Sequence, residues 1–557
     1  MQAQSTPPAV RSFPWPAVPL ALPWLLAVAP VPDAVLYNQL AAVAAWGLWL
    51  LFQQRRPRPL KAALALAALA LCAVWAAASG FALQGGVLLV MLAAAAVLAV
   101  ATGAGAEADV RSVAIGLWLA GLVSAVIGFI QYAVPDLADG QLVAVSGTAG
   151  RAVGNLRQPN HLATALLLSM VATAWLWQAR ALRAALACVS ITAMVVVLAM
   201  TASRTGALAL VVLVAWAALD RRLPRPARWT LVATPLVYTL AWGALAAVAS
   251  LEDSHFYGSD RLSGSSDISS SRFSIWRNAL ALLGDHPWTG VGWGHFNAAW
   301  TFTAFPDRPV AFFDHTHNLP LQLAVEMGLP AAAAVMGLLG WALWRARGAW
   351  AAPGGEAPPA RALLVMLAVL GLHSLLEYPL WYAYFLLPAA WALGVVLAAA
   401  PGAAPRGEGR TPAWVRAAAV AMLLGPLWAL LEHRTVEQIF RPSPGAPPLA
   451  QRIEAGQRSV LFGHHADYAA VTTSPRDIEA STFRRPLRQL IDVRLLMAYA
   501  EALQAQGRHA EALYAAQRLR EFRRPDAQAW FKDCGAAAPP WQCDERPLPL
   551  VWRDLLP

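Results

Sequence analysis

Apolar runs alternate with short polar segments along most of the chain. Thirteen of these runs are close to the roughly 20 residues that a helix needs to cross a bilayer. They lie at 17–32, 35–53, 60–80, 85–103, 111–134, 161–178, 184–201, 205–219, 229–250, 319–345, 362–379, 381–400 and 412–431. The pattern predicts an all-α polytopic membrane protein of about 13 transmembrane helices over 1–431, followed by a more polar C-terminal domain, 432–557.

Five of the short segments between the runs are basic. They are 53–61, 178–183, 220–228, 344–350 and 401–410. All five fall on one side of the membrane if the N-terminus is inside, and the positive-inside rule assigns that side to the cytoplasm. The N-terminal segment has no cleavable signal pattern, so we expect the first run to remain as an anchor. The C-terminal domain is then expected on the outer side.

Composition agrees with this class of protein. The chain is 58% hydrophobic and 13% charged, with a mean hydropathy of +0.48, whereas a soluble domain is about half apolar and a quarter charged. A net charge of +10 can indicate nucleic-acid binding. In a membrane protein, positive charge usually marks the loops on the cytoplasmic side, so no nucleic-acid partner is expected.

The outer side holds the unusual polar residues. Its longest loop, 251–318, opens with a Ser/Gly/Asp-rich stretch and continues into a predicted short amphipathic helix. Histidines map to the outer loops or outer helix ends at 161, 255, 286, 295, 315, 317 and 373. This one-sided distribution favours a polar site at the outer membrane surface.

Three arginines are candidates for binding an anion. Arg204 lies between two apolar runs with almost no loop, so we expect it in the outer leaflet, facing the protein interior; the alternative is a side chain that reaches the lipid headgroups. Arg272 and Arg277 begin the predicted loop helix, whose N-terminus attracts anions; a solvated helix face is the alternative. The planar guanidinium suits a diphosphate.

A second outer loop, 135–160, ends in the stretch GRAVGNLRQPN. Arg151, Arg157, Gln158 and His161 share this turn. The residues fit a turn that caps the next helix, and they also fit contacts to phosphate or sugar.

The histidine pair in 314-DHTHN-318 has three interpretations. Asp314, His315 and His317 lack a further cluster at metal-ligand spacing, so we expect no metal. His317 or Asn318 could simply cap the helix that begins at 319. A neutral imidazole could also take a proton from a hydroxyl nucleophile.

An outer turn within 373–388 contains Glu377 and Tyr378. An aromatic belt explains the neighbouring tyrosines, and a solvated or arginine-paired carboxylate explains Glu377. In the C-terminal domain, 495–522 predicts two amphipathic helices joined at Gly507, with a pattern similar to a tetratricopeptide repeat. Cys534 and Cys543 are expected to pair if the domain lies in an oxidising compartment.

These motifs resemble a known family. His317-Asn318, nine residues and then Gly328 resemble the signature of the bacterial O-antigen ligase superfamily, in which a second glycine stands where this chain has Ala331. With GNLRQPNHLA and LLEYPLWYAYFLLP, the chain is more specifically similar to the protein O-oligosaccharyltransferases of Gram-negative bacteria, the pilin-glycosylating branch. The resemblance implies a GT-C-like fold in the bacterial inner membrane, with the active site and C-terminal domain facing the periplasm.

The resemblance also implies a reaction. The enzyme would transfer a preassembled oligosaccharide from undecaprenyl diphosphate to a serine or threonine of a pilin-like acceptor, inverting the anomeric centre without metal or cofactor. It implies that His317 is the base, that Arg204 and Arg272 hold the diphosphate, and that Gln158 and Tyr378 are important polar positions. The remaining candidate substrate contacts are Arg151, Arg157, His161, Arg277, His315 and Asn318.

Two other functions stay open on the sequence alone. A ligase that joins O-antigen to lipid A-core, or an O-antigen polymerase, would carry the same motif. A transporter for a lipid-linked glycan would instead distribute charges along a path through the midplane, and the clustering of polar residues at one face disfavours it.

Overall fold

The computed structural model describes residues 17–52, 65, 67–68, 70–75, 83–102, 107–251, 255–259, 268–351, 357–400, 411–489 and 491–557. Every regular element within these ranges is a helix. The basic segments 53–61 and 401–410, most of the predicted span 60–80 and most of the serine-rich stretch of the long loop lie outside the described residues.

The α-helices used below are numbered in chain order. They are α1 Ala17–Ala21, α2 Leu36–Leu51, α3 Leu83–Ala101, α4 Glu107–Ala133, α5 Pro159–Gln178, α6 Ala184–Met200, α7 Arg204–Leu219, α8 Arg225–Val232, α9 Thr234–Leu251, α10 Ile268–Asp285, α11 Phe296–Phe302, α12 Leu319–Ala346, α13 Ala357–Ser374, α14 Ala383–Ala399, α15 Ala413–Phe440, α16 Leu449–Gln457, α17 Gly463–Thr473, α18 Val493–Ala505 and α19 His509–Glu521.

Apolar helices form the membrane part. Five described segments are long and apolar enough to cross a bilayer: Asp109–Ala133, Pro159–Gln178, Arg225–Leu251, Leu319–Ala351 and Ala413–Phe440. Shorter apolar helices include α2, α6, α7 and α14. The chain is therefore a helical integral membrane protein, while the count of 13 spans stays a prediction.

The first predicted span, 17–32, is not one helix. The chain forms the short α1 and a 3-10 turn at Leu22–Trp24, and no helix follows until Leu36. Pro23, Pro30 and Pro32 occupy this stretch, and each proline lacks the N–H that a continuous helix requires. Hydropathy alone predicts a helix here because it takes no account of the N–H group that each proline lacks.

The described basic segments meet at one end of the bundle. The Gln178 side chain donates to the Arg222 carbonyl at 3.0 Å. Arg361 donates to the Trp350 carbonyl at 2.7 Å and also contacts the buried Asp220. The three described segments, 178–183, 220–228 and 344–350, therefore share a side, as their alternation predicts.

At the opposite end, the long loop that is predicted to lie outside and the C-terminal part share one hydrophobic core. Buried residues of α10 and α11, including Ala279 and Phe296, pack in one cluster with Leu496 and Leu519 of the two helices around Gly507. Those helices, α18 and α19, match the predicted pair. A tetratricopeptide repeat and a domain boundary at 431 stay predictions, and α15 runs on to Phe440.

Candidate active site

Glu377 lies at the centre of a buried polar cluster at the end of the bundle opposite the basic segments. Helix α13 stops at Ser374, so residues predicted to end a span form a turn instead. The Glu377 side chain is only 6% exposed. One carboxylate oxygen accepts from the Asn160 amide at 2.9 Å and from the Arg272 guanidinium. The other contacts Nδ1 of His317 at 2.7 Å.

The cluster joins three distant parts of the chain. Asn160 belongs to the first turn of α5, Arg272 to the first turns of α10, and His317 to the loop that precedes α12. Burial raises the pKa of the Glu377 carboxyl, but the His317 hydrogen bond and the charges of His317 and Arg272 outweigh this effect. Together they lower the pKa from its ordinary value to about 2. The carboxylate is therefore ionised at neutral pH and can only accept hydrogen bonds.

His317 is held in an uncommon backbone conformation. Its φ of 57° is left-handed, which few residues other than glycine adopt. The preceding residue fixes this geometry: the Thr316 N–H donates to the Gln322 side chain at 2.8 Å, and its hydroxyl donates to the Asn318 carbonyl at 2.9 Å. With Nδ1–H directed to Glu377, Nε2 is the nitrogen that can accept a proton.

Asn318 caps the helix, as one interpretation of the motif predicted. Its side chain accepts from the Leu321 N–H at 2.9 Å and donates to the Leu375 carbonyl at 2.9 Å. The second contact ties the His317 loop to the turn that carries Glu377. Asn318 therefore sets the geometry of the site through the backbone.

His315 and Tyr378 lie beside the His317 ring. His315 is buried and its Nδ1 contacts Asp314. The ring centroid of Tyr378 lies 5.5 Å from that of His317, and its hydroxyl lies 3.4 Å from the Tyr382 hydroxyl. Burial raises the pKa of the Tyr378 phenol, so it remains protonated at neutral pH and can donate a hydrogen bond.

Arg272 and Arg204 differ in position. Arg272 is part of the cluster and keeps 24% of its side chain exposed. Arg204 begins α7, and its side chain is exposed, so the expectation that it faces the protein interior is wrong. The preceding Ser203 takes the inner position as the helix cap and donates to the Asn160 side chain at 2.6 Å. Arg204 thus lies at the edge of the cluster.

The remaining candidates make contacts outside this cluster. Arg277 is 60% exposed and pairs with Asp307 at 3.0 Å. Buried Arg151 donates to the Thr201 carbonyl at 2.8 Å. Arg157 donates to the carbonyls of Ala27 and Ala34. These three side chains tie loops together in this structure.

Gln158 and His161 lie beneath the cluster, at the start of α5. The Gln158 side chain accepts from the His161 N–H at 2.7 Å and caps the helix. The His161 ring is buried, and its Nδ1 lies 3.0 Å from the Tyr384 hydroxyl. Both support the turn that presents Asn160.

A metal ion could in principle be held here. Ligand atoms of His315, His317 and Glu377 lie within 4.8 Å of one another. However, the Arg272 guanidinium bonds to the same carboxylate and would repel a divalent cation. The expectation that the site uses no metal stays a prediction.

Neither Asn160 nor Glu377 is among the site residues that the sequence predicts. Asn160 carried no signal beyond its place in a turn. Glu377 did carry one, because it is the only acidic residue between 357 and 400. Such an isolated carboxylate beside an apolar run is expected to have a partner.

Cys534 and Cys543 form a disulfide in this structure, with their Cα atoms 5.2 Å apart. A disulfide persists in an oxidising compartment. The C-terminal part thus carries a feature typical of the outer side of the membrane.

Three family models match the chain. The model described as O-Antigen ligase matches residues 189–336, which include Arg204, Arg272 and His317. The model for the C-terminal part of the virulence factor membrane-bound polymerase matches 361–533. The model described as Protein glycosylation ligase matches 152–177. Over these residues the chain is similar to the O-antigen ligase superfamily and to protein glycosylation ligases.

The chain is also similar to two curated proteins of Acinetobacter baylyi (strain ATCC 33305 / BD413 / ADP1). One is a general O-oligosaccharyltransferase, 25% identical over 260 residues, which are 45% of this chain and 44% of the relative. The other is a ComP-specific O-oligosaccharyltransferase, 25% identical over 260 residues, which are 44% of each chain. The chain thus spans less than half the length of these relatives.

Proposed function

We propose that the protein is a metal-independent oligosaccharyltransferase that moves a preassembled glycan from undecaprenyl diphosphate to a serine or threonine hydroxyl of a periplasmic, pilin-like protein. The observation that carries the proposal is the Glu377 carboxylate, which joins the His317 imidazole to the Arg272 guanidinium. This arrangement combines a base with a cation for a leaving diphosphate. The family model described as Protein glycosylation ligase supports protein as the acceptor, and the names of the two relatives support the transfer of an oligosaccharide.

In the proposed reaction, Nε2 of His317 takes the proton of the acceptor hydroxyl while its oxygen attacks the anomeric carbon. The bond between that carbon and the diphosphate oxygen breaks, and the diphosphate leaves with the bonding electrons. Attack opposite the leaving group inverts the anomeric centre. Glu377 orients the imidazole and stabilises its charged form.

The leaving diphosphate gains negative charge as the bond breaks. A positioned guanidinium stabilises this charge more in the transition state than in the ground state. Arg272 bonds to Glu377 through one terminal nitrogen, which leaves other donors of the guanidinium for phosphate oxygens. Arg204, exposed at the edge of the cluster, is proposed as the second diphosphate ligand.

The orientation in the membrane is part of the proposal. The basic segments meet at one end of the bundle, and such segments face the cytoplasm. The cluster and the Cys534–Cys543 disulfide then face the periplasm of a bacterial inner membrane. That is the side on which a polymer-loaded carrier and a secreted acceptor would meet.

The test is transfer in reconstituted vesicles that contain the purified protein, an undecaprenyl-diphosphate-linked oligosaccharide and a pilin acceptor, with glycopeptides identified by mass spectrometry. Wild-type protein is expected to glycosylate serine or threonine, and His317→Ala to abolish transfer while keeping its melting temperature. His509→Ala, at an exposed position in the C-terminal part, is the control. Full activity of His317→Ala would exclude the base assignment.

One rival differs only in its acceptor. The O-antigen ligase and polymerase descriptions of two matching models favour lipid A-core or a growing polysaccharide as the acceptor. The same vesicles supplied with lipid A-core instead of pilin decide between them. Transfer to lipid A-core without transfer to protein would refute the proposed function.

A further inference from the structure

A cavity of about 460 Å³ lies between the loop that carries His317 and the C-terminal part of the chain. Phe313 and Asp314 form the wall on the loop side, and Tyr468, Gln489 and Asp492 form the opposite wall. Its volume falls within the range of about 300–1,000 Å³ that is typical of ligand pockets. None of the contacts assigned to the reaction above accounts for this space.

The cavity is adjacent to the proposed base. The Phe313 ring packs edge-on against the His317 ring, with centroids 5.5 Å apart. Asp314 contacts His315, whose ring centroid lies 4.4 Å from that of His317. A chain that occupies the cavity is therefore separated from the imidazole by a single layer of side chains.

The charge of the lining selects against an anion. Three carboxylates, those of Asp33, Asp314 and Asp492, line the cavity together with the His465 imidazole, which contacts Asp33 at 3.1 Å, and none of its twelve described lining residues is lysine or arginine. Asp33 and Asp314 keep 36% and 50% of their side chains exposed. The lining therefore disfavours binding of the carrier diphosphate and favours binding of a cation.

The apolar part of the lining suits the same occupant. Phe312, Phe313, Phe440 and Tyr468 contribute aromatic rings. Such rings pack against the methylene stem of a long basic side chain and attract its charged head. A neutral glycan would also stack on aromatic rings and donate hydroxyl hydrogen bonds to the carboxylates, but it would gain no charge attraction from them.

We propose that this cavity binds the acceptor polypeptide, and that it selects a segment with a lysine or arginine within a few residues of the glycosylated serine or threonine. The inference rests on the proposed function, because only that reaction requires a polypeptide beside His317. Both the membrane part and the C-terminal part line the cavity, so the C-terminal part is a direct component of the acceptor site.

The test uses two substitutions at one lining position. Gln489 is half-buried in the wall, so Gln489→Lys and Gln489→Glu change the charge of the cavity at the same place. Gln141→Lys and Gln141→Glu, at an exposed position of another outer loop, are the matched controls. Three serine peptides, with arginine, alanine or glutamate beside the serine, serve as acceptors.

Peptide binding is first measured without the lipid-linked donor, so that it does not depend on transfer. Wild-type protein is expected to bind the arginine peptide about tenfold more tightly than the glutamate peptide. Gln489→Lys should weaken binding of the arginine peptide by about tenfold and reduce the preference for it over the glutamate peptide. Gln489→Glu should increase that preference. Both controls should behave as wild type, and equal melting temperatures verify that the variants are folded.

Transfer kinetics then separate the two proposals. The cavity proposal predicts that Gln489→Lys raises the KM for the arginine peptide and leaves the KM for the lipid-linked donor unchanged. A raised KM for the donor alone, or no dependence on peptide charge, would overturn the cavity proposal even if transfer occurs. Charge-dependent binding without any transfer to a polypeptide would overturn the proposed function and leave the cavity assignment in place.

Discussion

At the scale of single residues, Glu377 organises the site. Its two oxygens contact donors on three parts of the chain, Asn160, Arg272 and His317. Because the carboxylate accepts from Nδ1, it fixes the tautomer that leaves Nε2 free to act as a base. Glu377 is therefore a positioning residue, and it acts through the imidazole and the guanidinium.

Glu377→Gln is expected to lower kcat by about 10²- to 10³-fold, since the amide cannot accept from all three donors and cannot stabilise a charged imidazole. KM for both substrates should change little. Glu454→Gln, at an exposed position paired with Arg458, is the control in the same vesicle assay. An unchanged kcat for Glu377→Gln would contradict the positioning role, and a loss confined to melting temperature would show that the residue is only structural.

The same carboxylate makes stability depend on pH. The pKa of Glu377 falls from its ordinary value to about 2 in the folded protein. Its ionised form therefore stabilises the fold above the ordinary pKa, and this contribution is lost as the pH falls towards 2. Between about pH 5 and pH 3, the melting temperature of wild-type protein should fall more steeply than that of Glu377→Gln. Parallel curves would contradict the low pKa.

At the scale of elements, the kink in α12 links the His317 motif to the outer loop. Gly328 has a φ of 77° inside the helix. The loop that follows α10 pairs with this kink: the Val291 N–H donates to the Val325 carbonyl at 2.8 Å, and the Leu329 N–H donates to the Pro287 carbonyl at 2.8 Å. The motif thus defines both ends of one structural unit, with His317 before the helix and glycine at the kink.

Gly328→Ala is expected to destabilise the protein and reduce transfer. A Cβ at this position would lie 2.3 Å from the Trp288 carbonyl oxygen, and the left-handed φ adds about 1–2 kcal/mol of backbone strain. Gly337→Ala in the same helix is the control, because a Cβ there meets nothing within 4 Å and alanine favours a helix by up to about 1 kcal/mol. Thermal unfolding in detergent measures both, and equal melting temperatures would refute the packing argument.

The elements also show what the sequence could and could not predict. Helices α5, α6 and α7 begin within two residues of their predicted starts, since proline and arginine bound continuous apolar runs. The segment 17–32 was mispredicted because hydropathy does not register prolines. The partners of Glu377 could not be predicted, because His317 and Arg272 are 60 and 105 residues away in the chain and only tertiary packing brings them together.

At the scale of the whole molecule, the C-terminal part holds the loop that carries His317. Arg308, in that loop, has a fully buried side chain that bonds to Glu521 of α19 at 3.0 Å and to the Trp300 carbonyl at 2.7 Å. Its guanidinium also lies 4.5 Å from the centre of the Phe522 ring. Burial lowers the pKa of Arg308 to about 10, so it is still charged at neutral pH and requires its partner.

Glu521→Gln is therefore expected to reduce both stability and transfer. The substitution leaves a buried guanidinium without its counter-charge, and breaking a buried pair in this way costs about 3–5 kcal/mol. The glutamine can still accept one hydrogen bond from Arg308, which places the expected loss at the lower end of that range. Since Arg308 lies nine residues before His317, weakening its anchor should also lower kcat.

Glu545→Gln is the matched control, because Glu545 is 77% exposed and pairs with Arg520 at the surface of the same part of the chain. Surface pairs contribute about 0–1 kcal/mol, so its melting temperature and kcat should equal those of wild type. Thermal unfolding in detergent and transfer in vesicles are measured on both variants. If Glu521→Gln unfolds at the wild-type temperature, the Arg308 contact does not anchor the loop; if it is destabilised but transfers at the wild-type rate, the C-terminal part stabilises the fold without positioning His317.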